Sequence, residues 1–146
     1  MNVLNPAKPA EYAALANFRH SLRKFLRFSE AAARSHGLTP QQHQVLLAIK
    51  GFLPRSWATI TELAERLQLE PHSVVGIVDR CVQADLVHRT VHPQDLRVTE
   101  VHLTSAGEEV LERLTVAHRD ELRRSGELLE TLHAVFSALS SEEGDE

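Results

Sequence analysis

Between Thr59 and Leu103 the apolar residues change their period, and few folds accommodate that change within so short a stretch. Leu63, Ala64 and Leu67 recur at helical spacing behind Thr59 or Thr61, either of which supplies an N-cap hydroxyl. Gln68-Leu69-Glu70 makes a short connection to Pro71, a residue suited to the first position of a helix. Val74, Ile77, Val78 and Cys81 then continue at three- and four-residue intervals. Residues 71 to 84 are therefore predicted to form a second helix, which so tight a turn forces to cross the first. From Leu86 the period falls to two. Val87, Arg89 and Val91 alternate with His88, Thr90 and His92, Pro93 to Arg97 reads as a turn, and Thr99, Val101 and Leu103 alternate with Val98, Glu100 and His102. That pattern predicts a β-hairpin.

The flanks are helical. After Pro6 and Pro9, a stripe of Tyr12, Leu15, Phe18, Leu22, Phe25 and Leu26 predicts an amphipathic helix over residues 11 to 37, behind a flexible N-terminus of residues 1 to 10. Its other face carries Arg19, Arg23 and Arg27 in one column with Lys24 beside it, which reads as a solvated face or as a contact for a DNA backbone or acidic ligand. Thr39-Pro40-Gln41-Gln42 combines a capping hydroxyl, a proline at the first helical position and a glutamine that reaches back, so a helix runs from there to about Gly51 and buries Val45, Leu46 and Ile49. Thr104 caps a long helix bearing Val110, Leu111, Leu114 and Leu122. Beyond Ser125-Gly126, Leu128, Leu129, Leu132, Val135, Phe136 and Leu139 form another stripe. Residues 141 to 146 are an acidic tail with nothing apolar to bury.

Short helix, tight turn, second helix and hairpin make a winged helix-turn-helix, in which the second helix enters a major groove and the hairpin reaches the adjacent minor groove. The predicted fold class is thus mostly α with a small β-hairpin wing: residues 38 to 104 as a DNA-binding domain, flanked by N- and C-terminal dimerisation helices over 11 to 37 and 105 to 140. The terminal stripes carry more apolar length than so small a wing domain covers, which predicts that they pack against a second copy.

Composition is compatible with this and narrows it. In 146 residues, 42% hydrophobic and 25% charged is ordinary for a globular chain. The net charge of -4 conceals a gradient: residues 1 to 55 carry 8 basic and 2 acidic side chains, residues 56 to 97 carry 4 and 6, and residues 98 to 146 carry 4 and 12. Since DNA responds to local potential, the total does not exclude it as a partner. No run approaches the ~18 apolar residues that span a bilayer. The N-terminus lacks a signal-peptide pattern and a lone Cys81 forms no internal disulfide, so no membrane association and a reducing cytoplasm are expected. Cys81 lies on the apolar stripe of its helix and reads as a buried, inert thiol. The nine histidines are scattered except in the hairpin, where a register pairing His88 with His102 would put both rings and Glu100 on one face. That face reads as ordinary solvent surface, and neither a metal nor a cofactor is predicted. There is no Gly-x-Ser-x-Gly elbow, His-Glu-x-x-His, Cys-x-x-Cys or phosphate-cradling glycine loop, so no enzyme is expected.

Over about residues 11 to 140 the chain resembles the multiple-antibiotic-resistance regulator (MarR) family of transcription factors. The resemblance is carried by Thr39-Pro40-Gln41-Gln42 with Val45-Leu46, by Thr61 to Leu67, by Val78-Asp79-Arg80 and by Leu86-Val87-His88-Arg89. Most specific is the wing, Asp95-Leu96-Arg97, followed by Val101 to Gly107. It implies that Arg97 contacts a minor groove or phosphate, that Asp95 orients it, and that Arg80 belongs to the DNA-binding set. It further implies a homodimer on a roughly palindromic operator in double-stranded DNA, often a repressor, released by a small anionic or aromatic effector held between the two halves of each subunit.

The chain departs from that pattern in two places. Leu96 stands where a basic residue is common in the wing. The outer face of the reading helix is His72, Ser73, Val75 and Gly76, so hydrogen-bond readout rests on His72 and Ser73, Val75 offers an apolar contact such as a thymine methyl, and Gly76 allows only close backbone approach. Specificity would lean on DNA shape and on Arg97. The basic excess of residues 1 to 55 beside Phe18, Phe25 and Phe28 suits an apolar ligand with a negative group, expected between the first helix, the second helix and the base of the helix after Thr104. The alternative is a dimeric protein-interaction module that keeps the winged fold without strong DNA binding.

Overall fold

The structure, a computed structural model, describes residues 5–140. The acidic tail and the first four residues of the expected flexible N-terminus lie outside them. In chain order the elements are α1 (Pro9–Ser35), α2 (Pro40–Lys50), β1 (Trp57–Ala58), α3 (Ile60–Leu67), α4 (Pro71–Gln83), β2 (Val87–His92), β3 (Asp95–Leu103), α5 (Ser105–Arg124) and α6 (Glu127–Ser140). α1 starts at Pro9, because proline is at home in a first helical turn, so the expected N-terminal segment is helical at its end. The helix stops at Ser35, where Gly37 takes a positive φ of 79°. The chain divides into two compact units, residues 30–117 and, among the described residues, 5–29 with 118–140.

Residues 30–117 form the winged unit. Both of its early helices start with reciprocal caps. Gln42 N–H donates to Thr39 Oγ1 at 3.1 Å while Thr39 N–H donates to Gln42 Oε1 at 2.9 Å. Thr59, not Thr61, caps α3, since Glu62 stands three residues after Thr59 and its Oε1 accepts the Thr59 N–H at 3.0 Å. Gln68 closes α3 in the left-handed region, φ 53°, which turns the chain sharply into α4. Thr104 bonds at both ends of its hydroxyl, donating to Asp85 O at 2.6 Å and accepting the Gly107 N–H at 3.0 Å. Gly107 is required there: a Cβ would stand 2.1 Å from the Leu86 carbonyl oxygen. The core joins Val45, Leu46 and Ile49 of α2, Leu63 of α3, Val74, Val78 and Cys81 of α4, Val87 and Val101 of the sheet and Leu114 of α5. Burial pushes the Cys81 thiol up to about 11, against a smaller opposing effect of the Arg80 charge.

The wing is a three-stranded antiparallel sheet in the order β1-β3-β2, not a hairpin alone. β1 pairs Trp57 with His102 and Ala58 with Val101. β2 and β3 pair His88 with His102 and Thr90 with Glu100, with a slip after Val91 that places His92 opposite Asp95. The slip shortens the expected turn to Pro93 and Gln94, so Asp95 to Arg97 belong to β3. Only the base of the ribbon enters the core, since Val87 and Val101 are buried while Val91 is 57% exposed.

The helical unit buries little. Among its described residues only Ala14, Ser21 and Ser29 are enclosed, and α6 has no buried residue. His118 packs edge-on against Phe25 and Phe28, ring centroids 6.0 and 5.4 Å away, and its Nε2 lies 2.8 Å from Ser29 Oγ. Lys24 and Glu127 form an ion pair at 3.1 Å. No helix among the described residues is long and apolar enough to cross a membrane.

Candidate nucleic-acid interface

The helical period that sends Val74, Ile77, Val78 and Cys81 inward leaves the opposite side of α4 for solvent. His72 and Ser73 are exposed in its first turn, and Val75 is 40% exposed one step on. Gly76 is half-buried. The guanidinium of Arg80 folds back one turn, 3.9 Å from where a Cβ on Gly76 would sit. A Cβ at position 76 would make only an ordinary van der Waals contact with that guanidinium. Asp79, also on this surface, is paired with Arg89 of β2. This bridge ties the reading helix to the base of the wing and neutralises one wing cation.

At the far end of the sheet, Asp95 grips Arg97 from two residues away. Arg97 Nε donates to Asp95 Oδ1 at 3.1 Å, and the Arg97 backbone N–H donates to the same oxygen at 3.1 Å. These bonds, side chain first, hold the Asp95 carboxyl below the usual carboxylate range. The clasp fixes the direction of a side chain that is 91% exposed, so an extended cation is presented with part of its rotamer entropy already lost. Leu96 between them is 83% exposed. Thus α4 holds His72, Ser73, Val75, Gly76 and Arg80 on one outer face, while Asp95 and Arg97 form a separate point on the wing.

Two clusters escaped the sequence reading. Arg55 lies over the rings of Phe52 and Trp57, at 4.3 and 3.9 Å, and pairs with Glu62, the capping residue of α3. Glu100, expected on a solvent face, is only 7% exposed. His102 Nε2 stands 2.9 Å from one of its oxygens and His92 Nε2 3.8 Å from the other, while the Trp57 ring lies against both imidazoles. β1 is what encloses it, and a two-residue strand defined only by its pairing leaves no periodicity to read. His88 stacks on His102 with centroids 5.3 Å apart, as the cross-strand register requires. No group of three metal-ligating side chains among the described residues is arranged to hold an ion.

The MarR family model matches residues 36–97. The HTH-type transcriptional repressor MdtR of Bacillus subtilis (strain 168) is 28% identical over 116 residues, covering 75% of this chain and 73% of that protein. Among solved structures, AbsC, a MarR family transcriptional regulator from Streptomyces coelicolor, superposes with a TM-score of 0.74 at 20% identity over 94% of each chain. A mutant MarR from E. coli complexed with operator DNA superposes with a TM-score of 0.64 at 21% identity, over 84% of this chain and 89% of that one. At these identities the solved structures attest a shared fold. The family match begins just ahead of the α2 cap and ends on Arg97, so it takes in the crossed helices and the Asp95–Arg97 clasp, and over that stretch the chain is similar to the MarR family.

Proposed function

We propose that the chain is a sequence-specific, DNA-binding transcriptional regulator, working in the cytoplasm as a homodimer and a ligand-responsive repressor on a pseudo-palindromic operator, and not as an enzyme. The observation that carries this reading is Arg97, held by Asp95 and 91% exposed at the wing of a unit whose α4 offers His72, Ser73 and Arg80 on one face. His72 and Ser73 supply hydrogen bonds to base edges, Val75 meets a thymine methyl, Gly76 allows close backbone approach, and Arg80 reaches a phosphate. Arg97 enters the minor groove or meets its phosphates, oriented by Asp95. Residues 38–104 are the DNA-binding domain in this reading, with 11–37 and 105–140 as dimerisation segments. Support for the dimer comes from the helical unit, where Tyr12, Leu129, Phe136 and Leu139 are each more than half exposed. For an effector, Phe25 lines a cleft of about 250 Å³ together with Lys24 and Arg124, an aromatic wall beside two cations.

A mobility shift with the DNA flanking the chain's own gene, repeated with salicylate, tests this. A salt-sensitive shift that salicylate weakens is expected. A second reading, a dimeric interaction module, draws on the apolar Val75 and on the neutralisation of Arg89 by Asp79. A stable dimer that shifts no flanking DNA would favour it.

A further inference from the structure

His92 is the one imidazole of the wing whose two nitrogens are both assigned by their surroundings. Its Nδ1 lies 3.1 Å from the backbone N–H of Gln94, which donates to it, so that nitrogen is the acceptor and the neutral ring carries its proton on Nε2. Nε2 in turn faces Glu100, 3.8 Å from the carboxylate. The Trp57 ring meets the imidazole edge-on at 5.6 Å. The side chain is thereby fixed on three sides at the point where β2 slips register and the chain turns through Pro93 and Gln94 into β3. Three residues beyond that turn is Arg97, whose backbone N–H is bound to Asp95 at the first position of β3.

We infer that His92 is the positioning residue of the wing, and that its neutral imidazole sets the turn from which Arg97 is presented. A proton taken up at Nδ1 leaves the Gln94 N–H facing another hydrogen, and that bond is lost. Charged and titratable groups face the ring from the elements packed against it. Glu100 of β3 faces it, and Asp95 stands opposite it in register. His102 shares Glu100 from the other side and is itself stacked on His88 of β2. On the β1 side Arg55 is stacked on Trp57 and paired with Glu62. Protonation of the ring therefore releases the turn while Glu100 still faces Nε2. This couples the order of the turn to the protonation state of His92.

The coupling is tested on the full chain without DNA by nitrogen-15 NMR, and its consequence by operator binding, which rests on the DNA-binding reading above. His92→Asn places an amide oxygen near the position of Nδ1 and does not titrate. His92→Phe keeps a ring against Trp57 but offers no acceptor. The expected result is an Nε2–H tautomer at about pH 8, a Gln94 amide resonance that moves with the His92 titration, an unmoving Gln94 amide in His92→Asn, and one displaced at every pH in His92→Phe. Relative to His92→Asn, which cancels the general effect of charging the other histidines, wild-type operator affinity should fall about threefold to tenfold between about pH 8 and pH 5, the size of one hydrogen bond. His92→Phe should show that loss at both ends. An Nδ1–H tautomer, or a Gln94 amide indifferent to His92→Phe, would overturn the inference. If no variant binds operator at any pH while the NMR titration is as expected, the DNA-binding reading fails and the positioning of the turn stands.

Discussion

Leu63 of α3 and Leu129 of α6 are both leucines on amphipathic helices, and their surroundings are opposite: the first has no exposure to solvent, the second is 73% exposed. The same contrast separates their units. Residues 30–117 enclose Val45, Leu46, Ile49, Val74, Val78 and Leu114 completely, whereas the helical unit encloses, among its described residues, an alanine and two serines while Tyr12, Phe136 and Leu139 remain in water. Apolar burial is the main favourable term in folding, at about 25 cal/mol per Å². The winged unit has that term within itself. The helical unit lacks it, which is the physical reason to expect a second copy there.

Substitutions in the two units should therefore differ in kind. Leu63→Ala, at a site with no solvent, should cost about 2–5 kcal/mol in a denaturant titration, by the same amount at any protein concentration. Leu129→Ala and Phe136→Ala should each cost about 1.5–3 kcal/mol, and the loss should appear in the dimer dissociation constant measured by sedimentation. A folded monomer at micromolar wild-type concentration would break the contrast. Arg97→Ala should weaken operator binding by about 1–3 kcal/mol with the melting temperature unchanged, because its side chain supports nothing but its own clasp. Ser73→Ala should cost about 1 kcal/mol or less and chiefly alter base preference at one position of a binding-site selection.

The smallest effect concerns pH. Since the folded Asp95 carboxyl titrates below its ordinary value, the clasp is present above the ordinary carboxylate range and is lost as pH falls through the depressed folded value. The protection factor of the Arg97 backbone N–H should fall over that acidic window in wild type and be low at all pH in Asp95→Ala, which has no side-chain acceptor.

Much of the winged unit is legible in the sequence because its signals are local. The Thr39-Gln42 pair specifies a reciprocal cap, the stripe from Val74 to Cys81 specifies which side of α4 is buried, and the period-two alternation specifies two strands, whose pairing of His88 with His102 the structure supplies. Two features depend on pairing across the chain and leave no local trace. β1 exists only through Trp57 and Ala58 bonding to β3, and with it goes the enclosure of Glu100. The slip after Val91 moves Asp95 into a strand although its neighbours spell a turn. The Arg80 guanidinium over Gly76 follows from i, i+4 geometry, and a glycine four residues before an arginine was the available clue.

The central claim is that two copies of the chain present two α4 helices to successive major grooves. Footprinting of the flanking DNA by the wild-type protein at physiological salt tests it most directly. Two inverted half-sites should be protected, with centres about one helical turn, ~10 bp, or a small multiple apart, and both should fade together in Arg97→Ala. Protection of a single half-site by a stable dimer, or a footprint unaltered in Arg97→Ala, would contradict it.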